Sequence, residues 1–252
     1  IQNKFTSYTH LKNVAKKEGV RLVSGEWLVK YCKKGGILPC RQEAPESAFV
    51  NPDDLIQEEV DIFAVSYPWI TKQHPDPKGF HLKIIAEVVE LFMTLEKKQV
   101  ALFWDWLSCY QNYYENTSHP PETYEGLIKA ERNEEQDASF KVALSGINDW
   151  YMSSETYKLI QSAPVPNAVD MREYNLRGWC AFENYISEWI TPSHMMLNMK
   201  FVNEKMEEWD CETLKDMIAK YVEKGADQKV ASWSGMFNGF VKTGKNELGK
   251  YQ

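Results

Sequence analysis

The sequence predicts an α/β protein built on a parallel sheet flanked by helices, and three observations predict it. Short apolar runs, Asp61 to Ser66, Val100 to Asp105 and Tyr157 to Gln161, alternate with longer segments of helical period. The runs are apolar on successive residues, the pattern of strands covered on both faces. Three strand-helix units in a row imply right-handed crossovers and hence parallel pairing.

Residues 6–36 read as a helical prelude, with Tyr8, Leu11, Val14 and Ala15 at helical spacing and Ser24 as a cap for the segment carrying Trp27, Leu28 and Tyr31. Pro39, Pro45 and Pro52 then punctuate an irregular strap over residues 37–57, closed by the short helix start Asn51-Pro-Asp-Asp-Leu. Residues 1–57 are therefore an N-terminal helical and irregular extension, packed on a main α/β domain of residues 58–252 through the aromatic faces at Trp27 and Tyr31. After the first strand and a loop rich in Pro and Asp, Leu82, Ile85, Val88, Val89 and Phe92 place a helix over residues 80–97. The second strand ends at Asp105, and a long loop follows over residues 107–122.

Residues 123–152 read as a helix or a broken pair. The third strand leads through a Pro-punctuated loop into a helix at about residues 177–190. A fourth strand is expected between Met195 and Val202, and extra C-terminal helices near residues 211–223 and 227–241.

Composition narrows the function. The 252 residues hold 43% hydrophobic and 13% aromatic side chains, enough for a large core, and the net charge of -7 argues against a phosphate-backbone binder. No nucleic-acid partner and no membrane span are expected, since no apolar run approaches the length of a spanning helix. Five scattered cysteines without a C-x-x-C pair point to reduced thiols in the cytoplasm or another reducing compartment, and no metal-ligand spacing is present. The chain opens at Ile1, which suggests a processed start and leaves room for a removed targeting peptide.

The residues of chemical interest sit where open parallel sheets bind ligands, outside the carboxyl ends of the strands. Ser66 and Tyr67 close the first strand, Asp105 the second, Gln161 and Ser162 the third, and Trp69 follows closely on the first. Each also has a structural reading: Ser66 and Asp105 as caps, Tyr67 and Trp69 as core or interface aromatics. On the helix over residues 177–190, Trp179, Phe182, Ile186 and Trp189 form an apolar stripe with Glu183 about 80° from its centre. A carboxyl group withdrawn from water beside aromatic walls has a raised pKa and is suited to acid-base chemistry, although a helix-flank Glu paired with Arg177 is the plainer reading. Neither a G-x-G-x-x-G nor a P-loop follows the first strand, and no nucleophile elbow supports a Ser/His/Asp triad.

The order Asp61-Ile-Phe-Ala-Val-Ser66-Tyr67, Phe103-Trp104-Asp105, then Trp179-Cys180-x-x-Glu183 resembles the Toll/interleukin-1 receptor (TIR) domain family over residues 60–190. That family shows D-V-F-x-S-Y/F, then v-F-x-D, then S-x-W-C-x-x-E; Arg177-Gly178 stands here in place of the Ser. A weaker likeness is to the fungal heterokaryon-incompatibility domain, whose D-x-x-C-x-x-Q is echoed by Asp105 and Gln111, with Cys109 displaced by one.

The TIR resemblance implies a flavodoxin-like sheet. It also implies an enzyme that cleaves the N-glycosidic bond of NAD to release nicotinamide, with Glu183 as catalytic acid. Ser66, Tyr67, Trp69, Asp105 and Trp179 are the expected substrate-binding residues, and NAD is substrate rather than cofactor. The alternative is a TIR-like module that has lost catalysis and serves self-association or a protein partner.

Overall fold

The computed structural model describes residues 4–17, 19–114, 129–165 and 172–223. Its centre is a sheet of β1 (Val23–Ser24), β2 (Val60–Ser66), β3 (Gln99–Phe103), β6 (Thr156–Ile160) and β7 (Met196–Asn198), in the order β1-β3-β2-β6-β7. The short β4 (Tyr113–Tyr114) and β5 (Lys129–Ala130) pair separately, antiparallel. Within the main sheet only β1 is antiparallel; the other four strands run parallel. Taken in chain order, these four are arranged second, first, third, fourth, the flavodoxin-like order, whose switch point lies between the first and third strands. Here that is the lip between β2 and β6, where Ser66 is opposite Ile160.

Helices cover both faces, as the doubly apolar strands require. On one side lie α2 (Gly25–Lys33), α3 (Phe80–Glu96), α8 (Met199–Glu208) and α9 (Leu214–Glu223); their Leu28, Phe92, Val202 and Met217 share a core with Phe63, Val65 and Leu159. On the other side lie α1 (Tyr8–Ala15), α6 (Ile147–Tyr151) and α7 (Gly178–Ile190), packing Leu11, Trp150 and Ile186 against Ile62, Ala64 and Phe103. The five apolar residues expected to face inward from α3 are all fully buried. Its start is set by Gly79 at φ 68°, and by the Asp76 carboxylate, which accepts the Leu82 N–H at 2.8 Å.

Several boundaries differ from the sequence reading, each for a local reason. The second strand stops at Phe103, because Asp105 opens a helical turn, α4 (Asp105–Ser108), inside the stretch expected to be loop. The region expected to be a helix or broken pair splits at Gly146 into α5 (Glu134–Ser145) and α6; Asn133 and Gln136 form a capping box at the start of α5. The fourth strand is only three residues long. Asn198 accepts the Lys200 N–H and caps α8, so the rest of the expected strand is helical. The helix anticipated near residues 227–241 lies outside the described residues.

The extension is part of this core. β1 adds an edge strand to the sheet, which the helical reading of residues 6–36 did not include. The Tyr8 hydroxyl donates to the Val60 carbonyl at 2.7 Å, and the Arg41 guanidinium donates to the carbonyls of Gly19 and Ser108 at 3.0 and 3.1 Å. The strap is thereby tied to α4 beside the carboxyl end of β3. Leu28 is fully buried with Phe63 in one cluster, so Leu28→Ala is expected to destabilise the whole protein by about 2–5 kcal/mol. Denaturant unfolding should show one transition at lower midpoint; a separate early transition for residues 4–57 would make the extension an independent unit.

Candidate active site at the β2–β6 lip

The site begins with the way α7 faces the sheet. Of the apolar stripe only Ile186 is buried; Trp179, Phe182 and Trp189 are 61%, 41% and 71% exposed, as is Tyr185 at 57%. The buried face instead carries Cys180, Glu183, Ile186 and Ser187, about a quarter-turn away. Hydrogen bonding explains the rotation. The Cys180 thiol donates to the Tyr67 carbonyl at 3.4 Å, Ser187 Oγ donates to the Tyr151 carbonyl at 3.3 Å, and Glu183 meets Ser66. Outward rotation of this face would take these donors away from the carbonyls after β2 and at the end of α6.

Glu183 is 9% exposed. Ser66 Oγ donates to its Oε2 at 2.5 Å, and the Tyr174 hydroxyl, from a single 3-10 turn just before α7, closes a short hydrogen bond with the same Ser66 Oγ. The result is a chain of three exchangeable protons, Tyr174 to Ser66 to Glu183, roofed by Tyr174. The Tyr151 hydroxyl, which donates to the Val65 carbonyl at 2.9 Å, packs beneath it. Burial pushes the Glu183 carboxyl up to about 8, and the negative charge of Asp105 pushes in the same direction against the hydrogen bond from Ser66. At neutral pH Glu183 is mostly a protonated acid.

Beside this chain lies a second knot. Asp105 Oδ1 accepts the Tyr67 hydroxyl at 2.8 Å and the Trp106 N–H at 2.6 Å, while Oδ2 accepts Trp69 Nε1 at 3.4 Å. Burial raises the Asp105 carboxyl above the ordinary carboxylate range, opposed by these donors. Arg177 donates to the Trp69 carbonyl at 2.8 Å, which ties the loop after β2 to the start of α7. Tyr67 stacks edge-on against Trp104 and against His81, whose imidazole burial pushes down to about 3, so that it is neutral.

The structure thus gathers Ser66 with Glu183, and Tyr67 with Trp69 and Asp105, at adjacent strand ends. Trp179 stands apart, on the outward face of α7 with its ring against Phe182. Gln111, echoed in the heterokaryon-incompatibility pattern, donates through Nε2 to the carbonyls of Asp105 and Cys109 at 2.9 and 3.0 Å and so braces α4. Tyr174 and Tyr151 were not singled out in the sequence; their only signal is that each borders a segment already of interest. Burial pushes the Cys109 and Cys180 thiols up to about 12, which leaves both as inert protonated groups.

Among the described residues no three His, Cys, Asp or Glu side chains gather closely enough to hold a metal ion, and no helix is long and apolar enough to cross a membrane. A cavity of about 500 Å³ opens at the opposite, amino-terminal edge of the sheet, bordered by Tyr8, Asp61, Lys98 and Glu155. Comparison with family models, with curated proteins and with solved structures finds no match to this chain.

The raised Glu183 carboxyl couples stability to pH. Its proton is held in the folded state up to about 8, against an ordinary value of 4.5, so the unfolded chain binds fewer protons between these limits. This contribution to stability is whole below about 4.5 and is lost as pH rises through about 8, on the order of a few kcal/mol across the window. Glu183→Gln removes the titrating group, so urea melts of the variant should lose that decline; an unchanged slope would mean that Glu183 ionises freely in the folded protein.

Proposed function

We propose that this chain is a TIR-like enzyme that cleaves the N-glycosidic bond between ribose and nicotinamide in NAD, with Glu183 as the catalytic carboxyl group. The observation that carries the proposal is the Ser66–Glu183 pair, a buried acid of raised pKa held at the switch point of a parallel sheet. Ligands of such sheets bind at that place, and carboxyl groups of that kind perform proton transfer near neutral pH.

The chemistry follows from charge. Nicotinamide is joined to ribose through a cationic nitrogen, so the C1′–N bond breaks with both electrons passing to the ring, and nicotinamide leaves neutral without a proton. The arriving cation favours ionisation of Glu183, and the carboxylate then faces the positive charge that develops on the ribose. Water adds at C1′ and gives its proton to Glu183, which at a pKa near 8 is a competent base. Ser66 and Tyr174 offer a path by which that proton leaves. Trp69, held by Asp105, is half-buried and offers aromatic surface beside the lip, with Tyr67 buried behind the same carboxylate.

Glu183→Gln keeps shape and most hydrogen bonds while removing the charge and the base. Release of nicotinamide from NAD should fall by about a hundredfold or more, with NAD binding changed far less. For the wild type, kcat/KM should rise with pH, reach half of its plateau near 8, where Glu183 in the free protein is half ionised, and level off above that. Concentrated, folded wild type that releases no nicotinamide would end the enzymatic reading; equal release by the variant would remove Glu183 from the chemistry.

The outward face of α7 favours a second reading, a TIR-like interaction module. Trp179, Phe182, Tyr185 and Trp189 expose an aromatic surface along most of the thirteen-residue α7, beyond what isolated surface apolar residues explain. If that surface mediates self-association, Trp189→Ser should shift the protein toward monomer in sedimentation velocity without lowering its melting temperature. An unchanged sedimentation profile would leave the face without that role.

A further inference from the structure

Gln161 directly follows β6 and is fully buried, and neither its Nε2 nor its Oε1 has a hydrogen-bond partner. Among the described residues it is the only one with two such side-chain atoms. A buried amide with both groups unpaired opposes folding, and an apolar side chain of the same length would suit the folded state better. The place is specific. The Gln161 backbone N–H donates to the Ser66 carbonyl at 2.8 Å, continuing the β2–β6 ladder by one residue.

Alternation along the strand sends Gln161 to the side of Leu159, Val65 and Tyr67, opposite the side from which Glu183 approaches Ser66. On that side the buried His81 ring lies against Tyr67 and leaves its Nδ1 unpartnered as well. The lip is therefore flanked by an acid on one face and an unsatisfied amide on the other, one strand position from Ser66.

We infer that Gln161 is the specificity-determining residue of this lip and recognises the carboxamide of nicotinamide. This deepens the NAD reading above and rests on it. A glutamine amide presents a donor and an acceptor side by side, the complement of a primary carboxamide, so two antiparallel hydrogen bonds give both Nε2 and Oε1 of Gln161 a partner at once. An adenine edge offers a similar pair. The carboxamide is chosen because it is carried by the ring attached to C1′, and the carbon under attack must lie beside Glu183, one strand position away. Adenine is at the far end of the dinucleotide.

The full chain and its Gln161→Met variant are titrated by calorimetry with free nicotinamide, with 3-acetylpyridine, in which a methyl group replaces the amide NH2, and with adenosine. Wild type should bind nicotinamide at least tenfold more tightly, and in Gln161→Met that preference should vanish while the ligand-free variant melts at the same or a higher temperature. The wild-type comparison needs no variant to fold. Failure of wild type to bind nicotinamide, equal affinity for the two ligands, or a preference that survives Gln161→Met would each overturn the assignment. Loss of adenosine binding in place of nicotinamide binding would overturn it in favour of an adenine site. Binding needs no turnover, so the two readings fail separately. An amide preference with no NAD cleavage sinks the chemistry alone, and cleavage without amide preference sinks the role of Gln161 alone.

Discussion

The interaction on which the rest of the site depends is the hydrogen bond from Ser66 to Glu183. It sets the angular position of α7, because a carboxyl group carried at the edge of an aromatic stripe can reach Ser66 only if the stripe turns outward. Cys180 and Ser187, on the same face as Glu183, complete the choice by meeting the carbonyls of Tyr67 and Tyr151. Once α7 is held this way, Tyr174 is carried over Ser66 and Arg177 is brought to the Trp69 carbonyl. Site closure and aromatic exposure are thus two consequences of one packing decision.

That decision is possible because the sheet below is rigid. β2 pairs with β3 over residues 60–64 and with β6 over residues 62–66, so Ser66, opposite Ile160, ends a strand anchored between two parallel neighbours. The extension reinforces the same end of the molecule. Its β1 covers the free edge of β3, and Arg41 satisfies carbonyls beside α4, which carries Asp105. Lys158 does a comparable service within β6. It is fully buried, and its Nζ donates to the carbonyls of Ser153 and Thr156 at 2.7 Å each, closing the turn between α6 and the strand. Burial pushes its pKa well down, and the carbonyl oxygens replace the hydrogen bonds that its amine would make to water.

Buried polar groups at the lip divide into two kinds. Glu183, Asp105 and Tyr67 have partners, and their interactions make a defined electrostatic environment in which one acid carries a pKa near 8. Gln161 has none, and so contributes nothing to the folded state that an apolar residue would not. The first kind gives Glu183 its raised pKa; the second leaves the Gln161 amide without a partner.

Much of this was already legible in the sequence. Apolar runs of strand length identify β2, β3 and β6, and the inward residues of α3 follow from their 3.6-residue period. Ser24 and Asn51 announce their caps, and the ends of the strands single out Ser66, Tyr67 and Asp105. These features are local: propensity, periodicity and capping act between residues a few positions apart. What lay beyond reach was decided by contacts between distant segments. The two-residue β1 is a strand only because β3 offers it an open edge. Tyr174 matters because Ser66, more than a hundred residues earlier, lies beneath its hydroxyl. The face of α7 was misread because hydrophobicity alone favours burying tryptophan, whereas Cys180, Glu183 and Ser187 gain their hydrogen bonds only when the sheet is in place. Periodicity measures the apolar side of a helix; which side turns inward also depends on what polar partners await it, and only the tertiary structure supplies those.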